Sequence, residues 1–212
     1  MKTKTIIYFG VLFLNIIAGM AHISALSYAT KPLLMLILIW MVLMAQNSKG
    51  LKIALVLALF FSWGGDMFLL FERNGLFVFG LGSFLLAHLV YIYVYQKKAK
   101  VSLLHALPFL GFVGLFCFGV LWGKLSADLT VPVYMYMLVI SMMGFMASNR
   151  VVHKESYTHV LIGACLFIIS DAFIAVNEFV QHVPYASFWV MSTYGIAQYL
   201  IVKGLVEQDL KV

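Results

Sequence analysis

Two stretches of sequence decide the fold, FFSWGGDMFLLF at residues 60–71 and ACLFIISDAFIAV at residues 164–176, because each encloses one aspartate within a long apolar run. A carboxylate at the centre of a membrane helix costs about 2.5 to 3.5 kcal/mol on insertion scales, so an acid in that position indicates a functional site and requires a partner. We therefore predict that Asp66 and Asp171 are catalytic residues and that each is the other's partner.

Composition indicates that these apolar runs lie in a lipid bilayer. Hydrophobic residues make up 64% of the 212-residue chain and charged residues only 10%, whereas about 25% of residues are charged in a soluble domain. The sequence predicts an all-α integral membrane bundle that forms one domain over residues 1–212, because the loops are too short for a soluble domain. Eight transmembrane segments are predicted, at 6–20, 33–45, 53–71, 76–95, 103–122, 131–147, 160–179 and 186–202.

Basic residues predict the orientation of the bundle, because lysine and arginine are retained in cytoplasmic loops. Eight spans place eleven of the 14 basic residues on the side that holds both termini, and leave only Lys31, Arg73 and Lys124 on the other side. We predict that both termini are cytoplasmic and that the membrane is a bacterial inner membrane. The net charge of +6 is then explained by topology and by attraction to anionic membrane lipids, and no nucleic-acid partner is expected.

A weak internal repeat relates the two halves of the chain. The second, third and fourth segments match the sixth, seventh and eighth at offsets of 100, 105 and 110 residues, which predicts two parallel repeats of four helices. The matched dipeptides are Lys31-Pro32 with Val131-Pro132, Gly65-Asp66 with Ser170-Asp171, and Ala87-His88 with Ala197-Gln198.

Other polar residues are expected close to the two acids. A rise of about 1.5 Å per residue places His88 and Gln198 slightly below the level that the aspartates share, so we predict that they support the site. Ser62 and Ser170 are candidate hydrogen-bond donors. Three further residues are predicted to line the outer mouth and bind substrate: Lys31, Arg73 and Glu178.

Several kinds of chemistry have no support in the sequence. No HExxH motif or comparable ligand spacing predicts a metal site, and no P-loop, dinucleotide fingerprint or G-x-S-x-G elbow is present. The two cysteines, Cys117 and Cys165, lie in apolar spans and are interpreted as small core residues. We expect neither a cofactor nor a metal.

Several of these motifs, in this order along nearly the whole chain, resemble the YhhN family, which includes the TMEM86-like lysoplasmalogenases. The motifs are Lys31-Pro32, Gly65-Asp66, Ala87-His88 with Tyr91, the tyrosines of the sixth segment, Gly163-Ala164 with Ser170-Asp171, and Ala197-Gln198. The resemblance implies an eight-helix enzyme that hydrolyses the vinyl ether bond of a lysophospholipid. It also implies that Tyr91 belongs to the substrate-binding residues. The products would be a fatty aldehyde and glycerophosphoethanolamine or glycerophosphocholine.

The implied reaction suits a pair of carboxylates. A vinyl ether is hydrolysed by protonation of its β-carbon, which produces an oxocarbenium ion that water captures. Two carboxylates in a low-dielectric cavity cannot both ionise easily, so one can act as the acid while the other stabilises the cation, as in glycosidases. Which aspartate is the acid stays open at this point.

Two other functions are compatible with the sequence. A proton-coupled transporter or lipid flippase would use the same aspartates as a proton relay, but it would be expected to have helices broken by Gly or Pro at midplane. A noncatalytic membrane scaffold is the second alternative. The natural lipid, its headgroup and the oligomeric state are not determined by the sequence.

Overall fold

The computed structural model describes residues 2–70 and 76–208. Three residues that enter the sequence predictions lie outside those ranges: Phe71 at the end of the third predicted segment, Arg73, and Lys211, which is one of the eleven basic residues counted on the side of the termini. The described residues form eight helices: α1 (Lys2–Met20), α2 (Ser24–Leu43), α3 (Lys49–Leu70), α4 (Phe77–Gln96), α5 (Leu107–Gly114), α6 (Ala127–Ser148), α7 (Lys154–Phe179) and α8 (Ala186–Glu207). The all-α prediction is confirmed.

The fifth segment is irregular. A 3₁₀ turn at Leu103–Ala106 leads into α5, and a π-helical turn at Leu115–Val120 follows it. The short α5 has no buried residue, so this segment lies on the bundle surface. Among the described residues, seven segments are long and apolar enough to cross a membrane, and the composite 103–120 segment is one of them. The protein is therefore a multi-pass membrane protein.

Helix α8 is outside that set of seven. It has the necessary length, 22 residues, but polar side chains are spread along it: Ser187, Ser192, Thr193, Tyr194, Gln198, Tyr199, Lys203 and Glu207. Several of those side chains, including Tyr194 and Gln198, are buried inside the bundle. Helix α8 thus packs between α7 and α1 and brings polar groups into the interior.

The two halves of the bundle have the same order of neighbours. In the first half α1 packs on α2, α2 on α3 and α3 on α4, and in the second half the fifth segment, α6, α7 and α8 follow one another in the same way. The halves meet where α4 packs on α6 and where α8 packs on α1 and α2. This arrangement is what two parallel four-helix repeats would give.

Both described ends of the chain lie at one end of the bundle. Thr5 in the first turns of α1 is hydrogen-bonded to Tyr199 near the end of α8, at 3.0 Å, and Asn47 donates to the Val206 carbonyl at 2.9 Å. Helices α3 and α7 begin at this end with Lys49 and Lys154, and we call it the basic end. That it faces the cytoplasm stays a prediction.

Two helix starts differ from the sequence prediction. Helix α2 begins at Ser24 and α6 at Ala127, so Pro32 and Pro132 lie inside helices and do not open them. The predicted segments start at 33 and 131, beside these prolines, but membrane helices tolerate an internal proline where neighbouring groups satisfy the freed backbone. As a result, Lys31 lies seven residues past the start of α2, about 10 Å inside the helix.

Close helix packing at α3 depends on glycine. A Cβ added at Gly65 would lie 2.5 Å from the ring of Phe84 on α4, and one at Gly64 would lie 2.9 Å from the Ser83 hydroxyl. Small residues at such positions let membrane helices approach each other closely. Gly64-Gly65 therefore brings α4 against the part of α3 that carries Asp66, while α3 continues as an unbroken helix.

Candidate active site

Asp66 lies in a sealed cluster formed by α2, α3 and α8. Asp66 is only 2% exposed to solvent. The Lys31 ammonium lies 3.6 Å from Oδ1, and the Tyr194 hydroxyl donates a hydrogen bond to Oδ2 at 2.8 Å. Both carboxylate oxygens thus have a partner, and one of them is a cation. We call Asp66, Lys31 and Tyr194 the Asp66 cluster.

Asp171 has different partners, on α4 and α6. The Tyr136 hydroxyl donates a hydrogen bond to Oδ2 of Asp171, and Nε2 of His88 lies 3.9 Å from the same oxygen. His88 Nε2 and the Tyr136 hydroxyl are also hydrogen-bonded to each other, at 3.0 Å. Asp171, Tyr136 and His88 form the Asp171 cluster. Within the part of the chain that the structure describes, Oδ1 of Asp171 has neither a hydrogen bond nor an ion pair.

The two clusters lie at the same level of the bundle. Asp66 and Asp171 are each 17 residues past the first residue of their helix, about 26 Å from the basic end. Between the clusters lie two aromatic rings. Phe167 is 5.3 Å from the Tyr194 ring and 4.7 Å from the His88 ring, centroid to centroid, and Phe84 packs on Tyr194 at 5.9 Å.

The Phe167 ring packs against Tyr194 of one cluster and His88 of the other, but the direct partners of the two carboxylates differ from the prediction. We expected each aspartate to be the other's partner. The structure instead pairs Asp66 with Lys31 and Tyr194, and Asp171 with Tyr136 and His88.

A cleft lies between α3, α4, α6 and α7, and of the two aspartates it is Asp171 that lines it. The cleft has a volume of about 30 Å³, which is enough for one or two water molecules. Its walls reach Phe77 at the start of α4 and Phe179 at the end of α7, so it runs from Asp171 away from the basic end, toward what we call the cleft end. Apart from Asp171 and Tyr136 the walls are apolar: Leu69, Phe77, Leu81, Phe84, Val133, Met137, Ile174, Ala175 and Phe179.

Gln198 links three helices beneath the acids. Its amide nitrogen donates to the Ser62 hydroxyl on α3 at 2.9 Å, and its carbonyl oxygen accepts from the Tyr91 hydroxyl on α4 at 2.8 Å. These three side chains are fully buried, so Tyr91 lies in the supporting network and away from the cleft. Ser170 instead donates to the Val190 carbonyl at 3.2 Å.

The residues predicted for the mouth are dispersed. Lys31 is engaged with Asp66, and Glu178 is exposed in the last turn of α7 but does not line the cleft. Arg73 lies outside the described residues. The substrate-binding roles of Lys31, Arg73, Glu178 and Tyr91 stay predictions.

The sequence analysis assigned no site role to the two tyrosines that hold the acids, Tyr136 and Tyr194, although the tyrosines of the sixth segment belong to the family motifs. A signal was present. Tyr136 and Tyr194 lie nine and eight residues past the starts of α6 and α8, and Asp171 lies eight residues before the end of α7. Counting depth from the same end would have matched the Tyr136 hydroxyl to Asp171.

No group of three or more His, Cys, Asp or Glu side chains that could hold a metal ion occurs among the described residues. The arrangement is thus one of carboxyl, phenol and imidazole groups. Such groups can donate, accept and relay protons beside an apolar cleft.

Comparison with known proteins supports a single relationship. The family model described as the YhhN family matches residues 26–205. The human protein named lysoplasmalogenase TMEM86A is 34% identical over 180 residues, which cover 80% of this chain and 74% of the human protein. The bovine protein of the same name is 35% identical over 154 residues, 70% of this chain and 63% of its own length.

A third relative, the pig protein named lysoplasmalogenase TMEM86B, is 32% identical over 131 residues, 59% of this chain. The chain spans about three quarters of the human relative, but less than two thirds of the bovine and pig relatives. No solved structure matches the chain significantly.

Proposed function

The chain belongs to the YhhN family, and from this premise we propose that it is a membrane-embedded lysoplasmalogenase, an ether hydrolase that acts on a single-chain vinyl ether phospholipid. The products are a fatty aldehyde and glycerophosphoethanolamine or glycerophosphocholine. The observation that carries the proposal is the position of Asp171, a carboxyl group at the inner end of an apolar cleft in a protein whose relatives are named lysoplasmalogenases.

The reaction needs one proton donor and one water molecule. The donor transfers a proton to the β-carbon of the vinyl ether. The π electrons of the carbon–carbon double bond form the new C–H bond, and the positive charge is shared by the α-carbon and the ether oxygen as an oxocarbenium ion. Water adds to the α-carbon and loses a proton, which gives a hemiacetal. The hemiacetal then collapses to the aldehyde and the glycerol hydroxyl, and the proton lost by water restores the donor.

Hydrogen bonding favours Asp171 as the donor. Its Oδ2 atom accepts from Tyr136, which leaves Oδ1 to carry a proton toward the cleft. Asp66 has no equivalent oxygen, because Lys31 engages its Oδ1 and Tyr194 its Oδ2. A general acid must also reach the atom that it protonates, and only Asp171 of the two lines the cleft.

Asp66 then has the second role, that of a fixed anion near the developing cation. It lies at the level of Asp171, on the other side of the Phe167 ring, and its pairing with Lys31 reduces the cost of burying the charge. Preorganised charges of this kind stabilise a transition state because they need no reorganisation during the reaction.

Tyr136 and His88 position the acid. The hydroxyl of Tyr136 contacts both Asp171 and His88 Nε2, so rotation of the carboxyl group is restricted from one side. The cleft has room for the water that attacks the oxocarbenium ion. Since the one hydroxyl proton of Tyr136 is donated to Asp171, His88 Nε2 donates to Tyr136 and holds it in place. After it has given its proton to the lipid, the Asp171 carboxylate is the base beside that water, and accepting the water's proton restores the acid.

The position of Asp171 also defines how the lipid lies. Asp171 is eight residues from the end of α7, about 12 Å, and 17 residues from its start, about 26 Å. The headgroup layer of a bilayer is only about 5 to 8 Å thick on each side. A vinyl ether just below that layer reaches Asp171 when the headgroup faces the cleft end, and not when it faces the basic end.

A transporter with the same acids is less well supported. Helices α2, α3 and α6 continue without interruption through Pro32, Gly64-Gly65 and Pro132. Within the described residues, the helices that carry or flank the acids are therefore not broken at midplane, as the binding sites of such transporters usually are.

The decisive experiment measures fatty aldehyde released from a synthetic lysoplasmalogen by the purified protein in detergent. Wild type should release aldehyde, and Asp171→Asn should not, since an amide cannot donate the proton. Asp128→Asn is the matched control because Asp128 is exposed in the first turn of α6. Absence of aldehyde from wild type, or full turnover by Asp171→Asn, would exclude the proposal.

A further inference from the structure

A second apolar cavity lies beside the candidate site. It is a groove of about 490 Å³ between the fifth segment and one face of α7. Phe109 and Phe112 form one wall, and Leu161, Cys165 and Ile168 form the other. Ile169 at one end and Leu104 at the other are exposed by 44% and 71%, so the groove is open to the bilayer along its length.

The groove adjoins the cleft. Phe112 lines the groove and also packs against the cluster that includes Val133, Met137 and Ala175, three residues that line the cleft. Ile168 is three residues before Asp171 on α7, which is the spacing of side chains on one helix face. One wall of the groove therefore continues directly to the proposed acid.

The length of the groove fits one lipid chain. Along α7 it extends from Tyr157 to Ile169, twelve residues or about 18 Å. A chain in one leaflet extends about 15 Å, half of the ~30 Å hydrocarbon core. A lipid with its headgroup at the cleft end and its ether bond at Asp171 would direct its chain along this groove toward the basic end.

The wall formed by the fifth segment is also the least firmly held part of the bundle. Helix α5 has no buried residue, and the π-helical turn that follows it buries only Phe116 and Cys117. A segment with so few buried contacts separates from its neighbours at low cost. A chain can thus enter sideways from the bilayer without disturbing α3, α4 or α8.

We propose that the groove between the fifth segment and α7 binds the alkenyl chain of the substrate and measures its length. This inference rests on the proposed function, since it places the reacting bond at Asp171. A groove of similar size between α3 and α4, about 440 Å³ and lined by Leu57, is also mostly apolar, and none of its lining residues lines the cleft. It serves as the control surface.

The first test is a chain-length series of lysoplasmalogens on two variants. Leu161 and Cys165 are ten and six residues before Asp171, about 15 Å and 9 Å along α7. Leu161→Trp should lower kcat/KM for the longest chain by at least about tenfold and spare shorter chains, and Cys165→Trp should move that limit to shorter chains. Leu57→Trp should leave the profile unchanged.

The second test measures occupancy without catalysis. In a Cys117→Ala background, the alkylation rate of Cys165 by a membrane-soluble maleimide is followed while alkyl ether lysophospholipids, which lack the vinyl bond, are added. A long-chain analogue should slow alkylation at least about tenfold and a short-chain analogue less. The comparison variant, Cys165→Ala with Leu57→Cys, reports the protection that any bilayer or detergent chain provides.

The two tests separate the outcomes. Equal protection of Cys165 and of the cysteine at position 57, or an unchanged chain-length profile in both tryptophan variants, would overturn the groove assignment even if wild type releases aldehyde. Selective protection of Cys165 in a protein that releases no aldehyde would support the groove and reject the proposed reaction.

Discussion

The Asp66 cluster and the Asp171 cluster contain the same acid at the same level of the bundle, but their surroundings differ. Asp66 is sealed from the cleft, and both of its oxygens are engaged, one of them by a lysine. Asp171 is paired with neutral tyrosine and with histidine, and it faces the cleft. Depth alone therefore does not determine the role of an intramembrane acid, whereas its partners and its access do.

The largest effect should come from the acid at the cleft. Asp171→Asn is expected to lower the turnover of a vinyl ether lysolipid by about 10²- to 10⁴-fold, the range that general acid catalysis contributes. The thermal unfolding midpoint should change little, because asparagine keeps the hydrogen bond from Tyr136. If turnover is retained and stability falls instead, the two clusters have been assigned the wrong way round.

A substitution in the Asp66 cluster should lower the free energy of unfolding. Asp66→Asn leaves the Lys31 ammonium without its counter-ion, and we expect a loss of about 2 to 3 kcal/mol, below the full value for a buried pair because 17% of the Lys31 side chain is exposed. Thermal unfolding in detergent measures it.

The matched control for this variant is Asp66→Asn with Lys31→Met. Removing both charges should restore most of the lost stability, since no unpaired charge then stays buried. If the double variant is as unstable as Asp66→Asn alone, the loss of stability in Asp66→Asn does not come from the broken ion pair.

The two tyrosines allow the same chemical change to be made in each cluster. Tyr136→Phe removes the hydroxyl that positions Asp171, and turnover should fall by about 10- to 100-fold, equivalent to the 1.5 to 3 kcal/mol of a hydrogen bond to a charged group. Tyr194→Phe should mainly lower the unfolding midpoint. Equal effects of the two variants on kcat would mean that both clusters act on substrate in the same way.

The smallest effect is expected at the boundary between the clusters. Gly65→Ala would place a Cβ 2.5 Å from the Phe84 ring, and Phe84 lines the cleft. A net loss of about 1 kcal/mol is expected, because overpacking outweighs the better helix propensity of alanine. Gly82→Ala on α4, where a Cβ meets nothing within 4 Å, is the control, and unfolding midpoints of both variants test the difference.

The sequence predicted most of the fold because apolar run length and charge asymmetry are local signals. The eight segments and the positions of both aspartates follow from them. The predicted helix starts at 33 and 131, beside Pro32 and Pro132, were wrong, because a proline marks a possible first turn but does not show whether neighbouring helices stabilise an earlier one.

The candidate site was less predictable because its partners come from distant parts of the chain. Tyr194 is 128 residues from Asp66, and no local pattern joins them. His88 was predicted beside the acids from its depth, but depth could not show that it adjoins Asp171. The packing of the bundle determines which helices are neighbours. It therefore also determines which aspartate faces the cleft and which one is closed off from it.

The ion pair between Lys31 and Asp66 also has a consequence for biosynthesis. The two residues lie on α2 and α3, which are consecutive in the chain and pack against each other. Inserted singly, each helix would carry an isolated charge at about 2.5 to 3.5 kcal/mol for a central position. Inserted together as a hairpin, they enter the bilayer with the charges already neutralised, so the pair eases assembly of the first half before the second half has been synthesised.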